Sequence, residues 1–339
     1  MTLLSKDATS RMPTSSMSKV MTAYMVFEAL KQGRVKMDTM LPVSEKAWKK
    51  GGSKMFIEVG KSVSVEDLLK GLIVQSGNDA AIALSEGLAG DEAVFAKAMT
   101  ERAHDLGMKA TNLKNASGWP DPDHYSTAAD LALLAQRLIV DFPHEYSLYG
   151  MKEFTFAGIR QPNRNPLLYR NMGVDGIKTG HTDAGGYGLI GSGEVDGRRV
   201  VMVVNGLQSE KERADESARL MGWALNGFEN ADLVKVGQTI DTVDVTLGAE
   251  DKLPLTVNRD IRVVVLKGQK DKIKLEASYK SPIQAPIKKG DTIGELKISV
   301  PEVGDFNVPL IAAKDIEAAG FFGRAFDKLD MMLSAEEET

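Results

Sequence analysis

The hydrophobic period of this chain changes twice, and each change sets a boundary that any fold must respect. Over 14–31, Met17, Val20, Met21, Tyr24 and Phe27 recur at three- and four-residue spacing behind Pro13. This predicts one long amphipathic helix with Ser16 and Lys19 in its first turn. Helical spacing returns at 65–74, 79–89, 91–106 and 127–140, between turns rich in glycine, proline and asparagine. After Gly176 the period falls to two. Two apolar runs flank Asp196-Gly197, a pair that tolerates positive φ, so two paired strands are expected within 177–206. A helical pattern over 209–228 follows. From about 231 to 312 the chain is a series of short β-branched runs broken by Gly, Pro and Asp, which predicts a small all-β domain without chemistry of its own, a spacer or docking module.

The expected fold class is therefore α+β, a helical cluster plus an antiparallel sheet over 1–228, followed by a small all-β domain over 229–318 and a tail helix over 319–339. In the tail, Phe322, Ala325, Phe326, Leu329, Met332 and Leu333 share one helical face, which suits a membrane surface or the β domain equally. Asp327, Asp330 and Glu336 to Glu338 offset Arg324 and Lys328, so attraction to anionic lipid is weak. No apolar run reaches the roughly 18 residues of a spanning helix.

Composition removes several function classes. The chain carries 42 Lys plus Arg against 47 Asp plus Glu, a formal charge of −5, and has no basic block to track a phosphate backbone, so nucleic acid is not an expected partner. With no cysteine there are no disulfides, thiolate zinc sites, iron–sulfur clusters or cysteine nucleophiles. His104, His124, His144 and His181 show no ligand spacing, so neither a metal nor another cofactor is expected. The residues after Met1 lack a basic segment followed by an apolar core, and no export leader is legible in them.

Three short motifs lie in order: Ser16-Met17-Ser18-Lys19, Ser76-Gly77-Asn78 and Lys178-Thr179-Gly180. A Ser-x-x-Lys pattern arises about once by chance in a chain this long, but each tripeptide is expected well below about 0.1 times, so the ordered set is specific. Its chemistry is coherent. A serine hydroxyl is a poor nucleophile until a neutral amine within reach takes its proton, and i to i+3 spacing on a helix supplies that reach. The helix N-terminus favours negative charge developing on an attacked carbonyl. Burial and a second cation such as Lys178 would lower the Lys19 pKa toward the neutral amine. Ser76 can relay a proton to a leaving amine and Asn78 can hold a peptide group. Lys178 and Thr179, on a strand edge, can bind a terminal carboxylate while the backbone takes the substrate as an added strand.

With these motifs, and the stretches 153–165 and 178–187, the chain resembles the low-molecular-mass penicillin-binding proteins, specifically D-alanyl-D-alanine carboxypeptidases with a C-terminal β domain and an amphipathic tail. The resemblance runs from about Leu4 to Leu333. It implies a β-lactamase/transpeptidase-like catalytic domain that removes the terminal D-alanine of peptidoglycan pentapeptide stems through an acyl-enzyme and is inhibited covalently by β-lactams. It also implies Ser16 as the acylated nucleophile, Lys19 as general base, Ser76 and Asn78 as second-motif residues, and the backbone N–H groups of Ser16 and His181 as oxyanion hole. Lys178, Thr179, Gly180, Arg213 and Arg164 then line the substrate's carboxylate side. The implied location is the periplasmic face of the bacterial inner membrane, peripherally attached, with the leader absent from this chain. Only 15 residues precede Ser16, room for at most one strand near Leu3 and Leu4, so an N-terminal strand of the family's sheet is expected to be missing.

Three other readings share the motifs. A β-lactamase needs a carboxylate to activate its deacylating water, and 125–156 holds no Glu-x-x-Leu-Asn element. A DD-endopeptidase differs in substrate length. A non-catalytic cell-wall scaffold predicts peptidoglycan binding indifferent to Ser16→Ala.

Overall fold

A computed structural model describes residues 1–320, and the chain divides into two compact units, Met1–Asn226 and a second beginning at Gly227. The first unit is organised around helix α1 (Lys19–Lys31), which is preceded by a 3₁₀ turn at Ser15–Ser18. The expected single helix over 14–31 is thus two pieces, because Ser15 takes a left-handed φ of 51° and the chain tightens before the α-helix begins. Nor is α1 amphipathic. Val20, Met21, Ala23, Tyr24, Val26 and Phe27 are all buried, so the three- and four-residue spacing marked only part of an apolar surface that is enclosed on nearly every side.

Around α1 lie α2 (Glu45–Lys49), α3 (Val65–Lys70), α4 (Asn78–Ala89), α5 (Glu92–Asp105) and α6 (Ala128–Asp141). Four of these starts are written locally: Ser44, Ser64, Asp91 and Thr127 each accept a backbone N–H of the first turn. The helical run expected over 65–74 is α3 followed by a π-helical turn, Gly71–Gln75, that delivers Ser76 in a left-handed conformation with φ of 64°. Gly71 is required there, since a Cβ would lie 2.2 Å from Met55 Sδ.

Two small antiparallel pairs, β1 (Met40–Pro42) with β2 (Ser62–Ser64) and β3 (Glu153–Phe156) with β4 (Ile159–Pro162), escaped the period analysis because strands of three and four residues carry too little alternation. The main sheet is a meander of β5 (Val174–Thr182), β6 (Gly186–Val195) and β7 (Arg198–Leu207). Here the expectation of two strands is corrected to three, because Asp183 to Gly185 turn the chain once more ahead of the Asp196-Gly197 hairpin. That hairpin closes as expected, with φ of 52° and 68° and Val195 paired to Arg198. Helix α7 (Glu210–Asn226) covers β6 and β7, burying Met221, Ala224 and Leu225 with Leu189 and Val200. Leu3 packs on this cluster as loop, and Leu3 and Leu4 form no strand.

The second unit is all-β, as expected. Strand β8 (Phe228–Val234) pairs with β11 (Ile261–Leu266). The remaining strands, β9 (Asp241–Thr246), β10 (Lys252–Thr256), β12 (Lys274–Tyr279), β13 (Ile283–Gln284), β14 (Thr292–Val300) and β15 (Gly304–Ala312), form one sheet in the order β12-β14-β15-β10-β9-β13. Alternate side chains, among them Leu253, Leu255, Leu296, Ile298, Val308 and Leu310, fill its core. The tail face predicted over Phe322 to Leu333 lies outside the described residues.

Candidate active site

Three segments converge on the turn that carries Ser16. Strand β5 lies directly against it, and Gly180 permits the approach: a Cβ there would sit 3.0 Å from the Thr14 carbonyl oxygen and 3.1 Å from Met17 Cγ and Ser15 Cβ. Gly118 brings in the loop before α6, since a Cβ on it would overlap the Ser15 carbonyl. Ser15 Oγ donates to Thr182 Oγ1 at 3.1 Å, fastening the turn to the end of β5. Behind the turn, Ser18 Oγ bonds both Thr14 Oγ1 and, at 2.7 Å, His124 Nε2. His124 Nδ1 accepts the Lys114 N–H, which assigns the proton to Nε2 and makes His124 the donor to Ser18. Burial holds this imidazole neutral, with its pKa lowered to about 4.

Lys19 is buried at the centre. Its Nζ donates to Ser16 Oγ at 2.8 Å, to Asn78 Oδ1 at 2.7 Å and to the Ser117 carbonyl at 2.6 Å, so three acceptors saturate it. Those acceptors favour the ammonium, but burial, and after it the charges of Lys178 and Arg164, press the pKa well below the usual lysine value. Asp79 and Lys50 act more weakly, in opposite directions. A buried amine of lowered pKa within hydrogen-bond reach of a hydroxyl can take its proton.

The second motif opens α4. Asn78 bridges Lys19 to the facing loop, its Nδ2 donating to the Gly51 carbonyl at 2.8 Å. The neighbouring Asp79 carboxylate accepts the backbone N–H groups of Met55 at 3.0 Å, Phe56 at 3.0 Å and Ala80 at 2.9 Å, tying that loop to the helix start. Ser76 arrives beside Asn78, but its buried Oγ makes no hydrogen bond to the described residues.

On β5, Lys178 is buried with its Nζ bonded to the Thr179 carbonyl at 3.1 Å, and burial, Arg164 and Arg213 lower its pKa to about 7. Arg213 comes from α7, nearly enclosed, its guanidinium 5.5 Å from the centre of the Tyr187 ring and its Nε without a hydrogen-bond partner among the described residues. Tyr187 in turn stacks on His181 at 3.9 Å, because the β5–β6 register sets the two residues opposite each other. Arg164 is exposed and near enough to act on both Lys19 and Lys178. The cleft is thus strongly cationic on its β5 side, a surface for a carboxylate.

All ten residues singled out in the sequence come to this region. Sequence reasoning missed Ser117, which acts through its backbone carbonyl and leaves no side-chain signal, and His124, whose partner Ser18 is 106 positions away. It also missed Tyr187, which the hairpin register would have placed opposite His181, and the Lys50–Trp119 pair described below.

Known proteins are similar to this chain over nearly its whole length. The family profile described as D-alanyl-D-alanine carboxypeptidase matches residues 1–209, and the one described as penicillin-binding protein 5, C-terminal domain, matches residues 228–318. The D-alanyl-D-alanine carboxypeptidase DacC of Escherichia coli (strain K12) is 38% identical over 329 residues, 95% of this chain and 82% of that protein. The crystal structure of penicillin-binding protein 5 from Haemophilus influenzae superposes with a TM-score of 0.80 at 35% identity, covering 93% of each chain. Penicillin-binding protein D2 from Listeria monocytogenes in its cefotaxime-bound form has a TM-score of 0.59 at 32% identity, covering 65% of this chain and 91% of that one.

Proposed function

The chain belongs to the D-alanyl-D-alanine carboxypeptidase family of serine-type hydrolases, and from that premise we propose that Ser16 is the acylated nucleophile and Lys19 the base that activates it. The substrate is a peptidoglycan pentapeptide stem ending in D-alanyl-D-alanine. Its terminal carboxylate binds among Lys178, Thr179 and Arg213, with Arg164 at the mouth, and its backbone lies along β5. Gly180 serves by letting β5 reach the Ser16 turn. Ser16 Oγ bonds to the penultimate carbonyl carbon while its proton passes to the neutral Lys19 amine. The oxyanion is held by the backbone N–H groups of Ser16 and His181. As the C–N bond breaks, the leaving D-alanine amine takes the proton that Lys19 holds, relayed through Ser76 Oγ, whose buried hydroxyl has no hydrogen-bond partner among the described residues, and Lys19 is neutral again. Water gives a proton to Lys19 as it attacks the ester carbonyl, and as the bond to Ser16 Oγ breaks the proton passes from Lys19 to that oxygen, restoring the serine hydroxyl and the neutral amine. A β-lactam acylates Ser16 by the same first step.

The observation that carries this reading is the buried Lys19 amine, 2.8 Å from Ser16 Oγ and of lowered pKa. Chemistry is assigned to the first unit and a positioning role to the second. A cell-wall substrate supports a place on the periplasmic side of the inner membrane, and the helical spacing of Phe322, Phe326, Leu329 and Leu333 in the sequence supports peripheral attachment there. Release of free D-alanine from a synthetic pentapeptide stem tests the assignment. Ser16→Ala and Lys19→Met are each expected to lower the rate by about 10³-fold or more, and near-wild-type release by Ser16→Ala would overturn it.

A further inference from the structure

On the face of Asn78 away from Lys19 stands a second cation that nothing in the acylation step uses. Lys50 closes α2, and its Nζ lies 3.9 Å from the centre of the Trp119 ring. No carboxylate among the described residues forms an ion pair with it; the nearby Glu92 is engaged by Lys46 at 3.0 Å and by the Ala116 N–H. Trp119 is 41% exposed, as the other two tryptophans are to the same degree, yet it is held firmly. Asn115 accepts the Trp119 N–H at 2.9 Å and donates to the Trp119 carbonyl at 2.9 Å. The ring lies over Gly51 and Gly52, where a Cβ would come to 3.8 Å and 3.3 Å from it.

The pair is joined to the reacting centre on both sides. Gly51, next to Lys50, accepts from Asn78, and Ser117, two residues before Trp119, accepts from Lys19. Lys50 and Lys178 both act on the charge of Lys19, but Lys178 is influenced by Arg164 and Arg213 whereas Lys50 is influenced by Glu92 and Lys46. The two cations come from different elements, Lys178 from β5 and Lys50 from the end of α2, next to the Gly51 carbonyl that Asn78 holds. If the terminal carboxylate of the substrate sits at Lys178, the chain upstream of the scissile bond leaves past Asn78 and meets the aromatic ring first and the ammonium beside it. An aliphatic stem passing the indole and ending in an ammonium flanked by a carboxylate, with the carboxylate turned to Lys50, matches this arrangement, whereas a stem ending in an ammonium alone sets like charges together.

We propose that Lys50 and Trp119 form a specificity subsite for a carboxylate-ended side chain on the residue that precedes D-alanyl-D-alanine, selecting a diaminodicarboxylic acid over a diaminomonocarboxylic acid at that position. The proposal rests on the carboxypeptidase reading above. Two pentapeptide stems differing only in whether the third residue is meso-diaminopimelate or L-lysine isolate the one carboxylate at issue. D-alanine release by the full chain is expected to favour the diaminopimelate stem by about tenfold in kcat/KM. Lys50→Gln is expected to bring the ratio to within about twofold of one, and Lys50→Arg to restore it. Any effect of Lys50 on Lys19 acts on both peptides alike and cancels in the ratio. A wild-type ratio near one, or a preference that survives Lys50→Gln, overturns the subsite. Absence of release from both peptides instead overturns the carboxypeptidase reading, and the subsite with it.

Discussion

At Lys19 and Lys178, burial outweighs the hydrogen bonds that would hold an ammonium, but the roles proposed for the two residues need opposite charge states. In that proposal Lys19 is neutral to take the Ser16 proton. Lys178 is charged to attract a carboxylate, and its pKa of about 7 means that the attraction is present below that pH and lost above it. The alkaline limb of kcat/KM for a carboxylate-terminated peptide is therefore expected to fall from near neutrality, approaching about tenfold per pH unit, mainly through KM. Lys178→Arg keeps its charge at every working pH and should move that limb to higher pH. An unchanged limb in Lys178→Arg would remove Lys178 from carboxylate binding.

Among the elements, β5 and the 3₁₀ turn at Ser15–Ser18 form the contact on which the site depends, and glycine sets their separation. Gly180→Ala inserts a methyl against the Thr14 carbonyl and Ser15 Cβ at 3.0–3.1 Å, so the strand must withdraw by a few tenths of an ångström. Acylation by benzylpenicillin is expected to slow by about 10-fold or more, with a loss of roughly 1–2 kcal/mol in stability. Stopped-flow acylation and thermal melts separate the two effects, and wild-type acylation in Gly180→Ala would show that the spacing is not critical. This contact also marks the limit of what the sequence could reveal. Helices α4 to α7 were legible because caps and turn residues bound them locally, and β6–β7 because Asp196-Gly197 fixes its own register. The break between the 3₁₀ turn and α1 was not, because tertiary packing of β5 and Gly118 on Ser15 imposes it. The π-turn at Gly71–Gln75 is likewise a feature of long-range contact, through Met55, and reads locally as ordinary helix.

Across the whole molecule, the order of the three motifs carried most of the site, since Ser16, Lys19, Asn78 and Lys178 meet although 162 positions separate the first from the last. What remained hidden were backbone acceptors and second partners: the Ser117 carbonyl, the His124 behind Ser18, and the Lys50–Trp119 pair. These depend on loops closing through glycine rather than on any period. The second unit is readable as all-β from its β-branched runs. The account therefore stands on whether the first unit assembles a serine that can be acylated. Intact-mass spectrometry of the chain after incubation with benzylpenicillin, beside Ser16→Ala, measures this directly. The account predicts one penicilloyl adduct per chain, mapping by peptide digestion to Ser16 and absent from Ser16→Ala. No adduct on the wild-type chain, or an adduct that persists in Ser16→Ala, would contradict it.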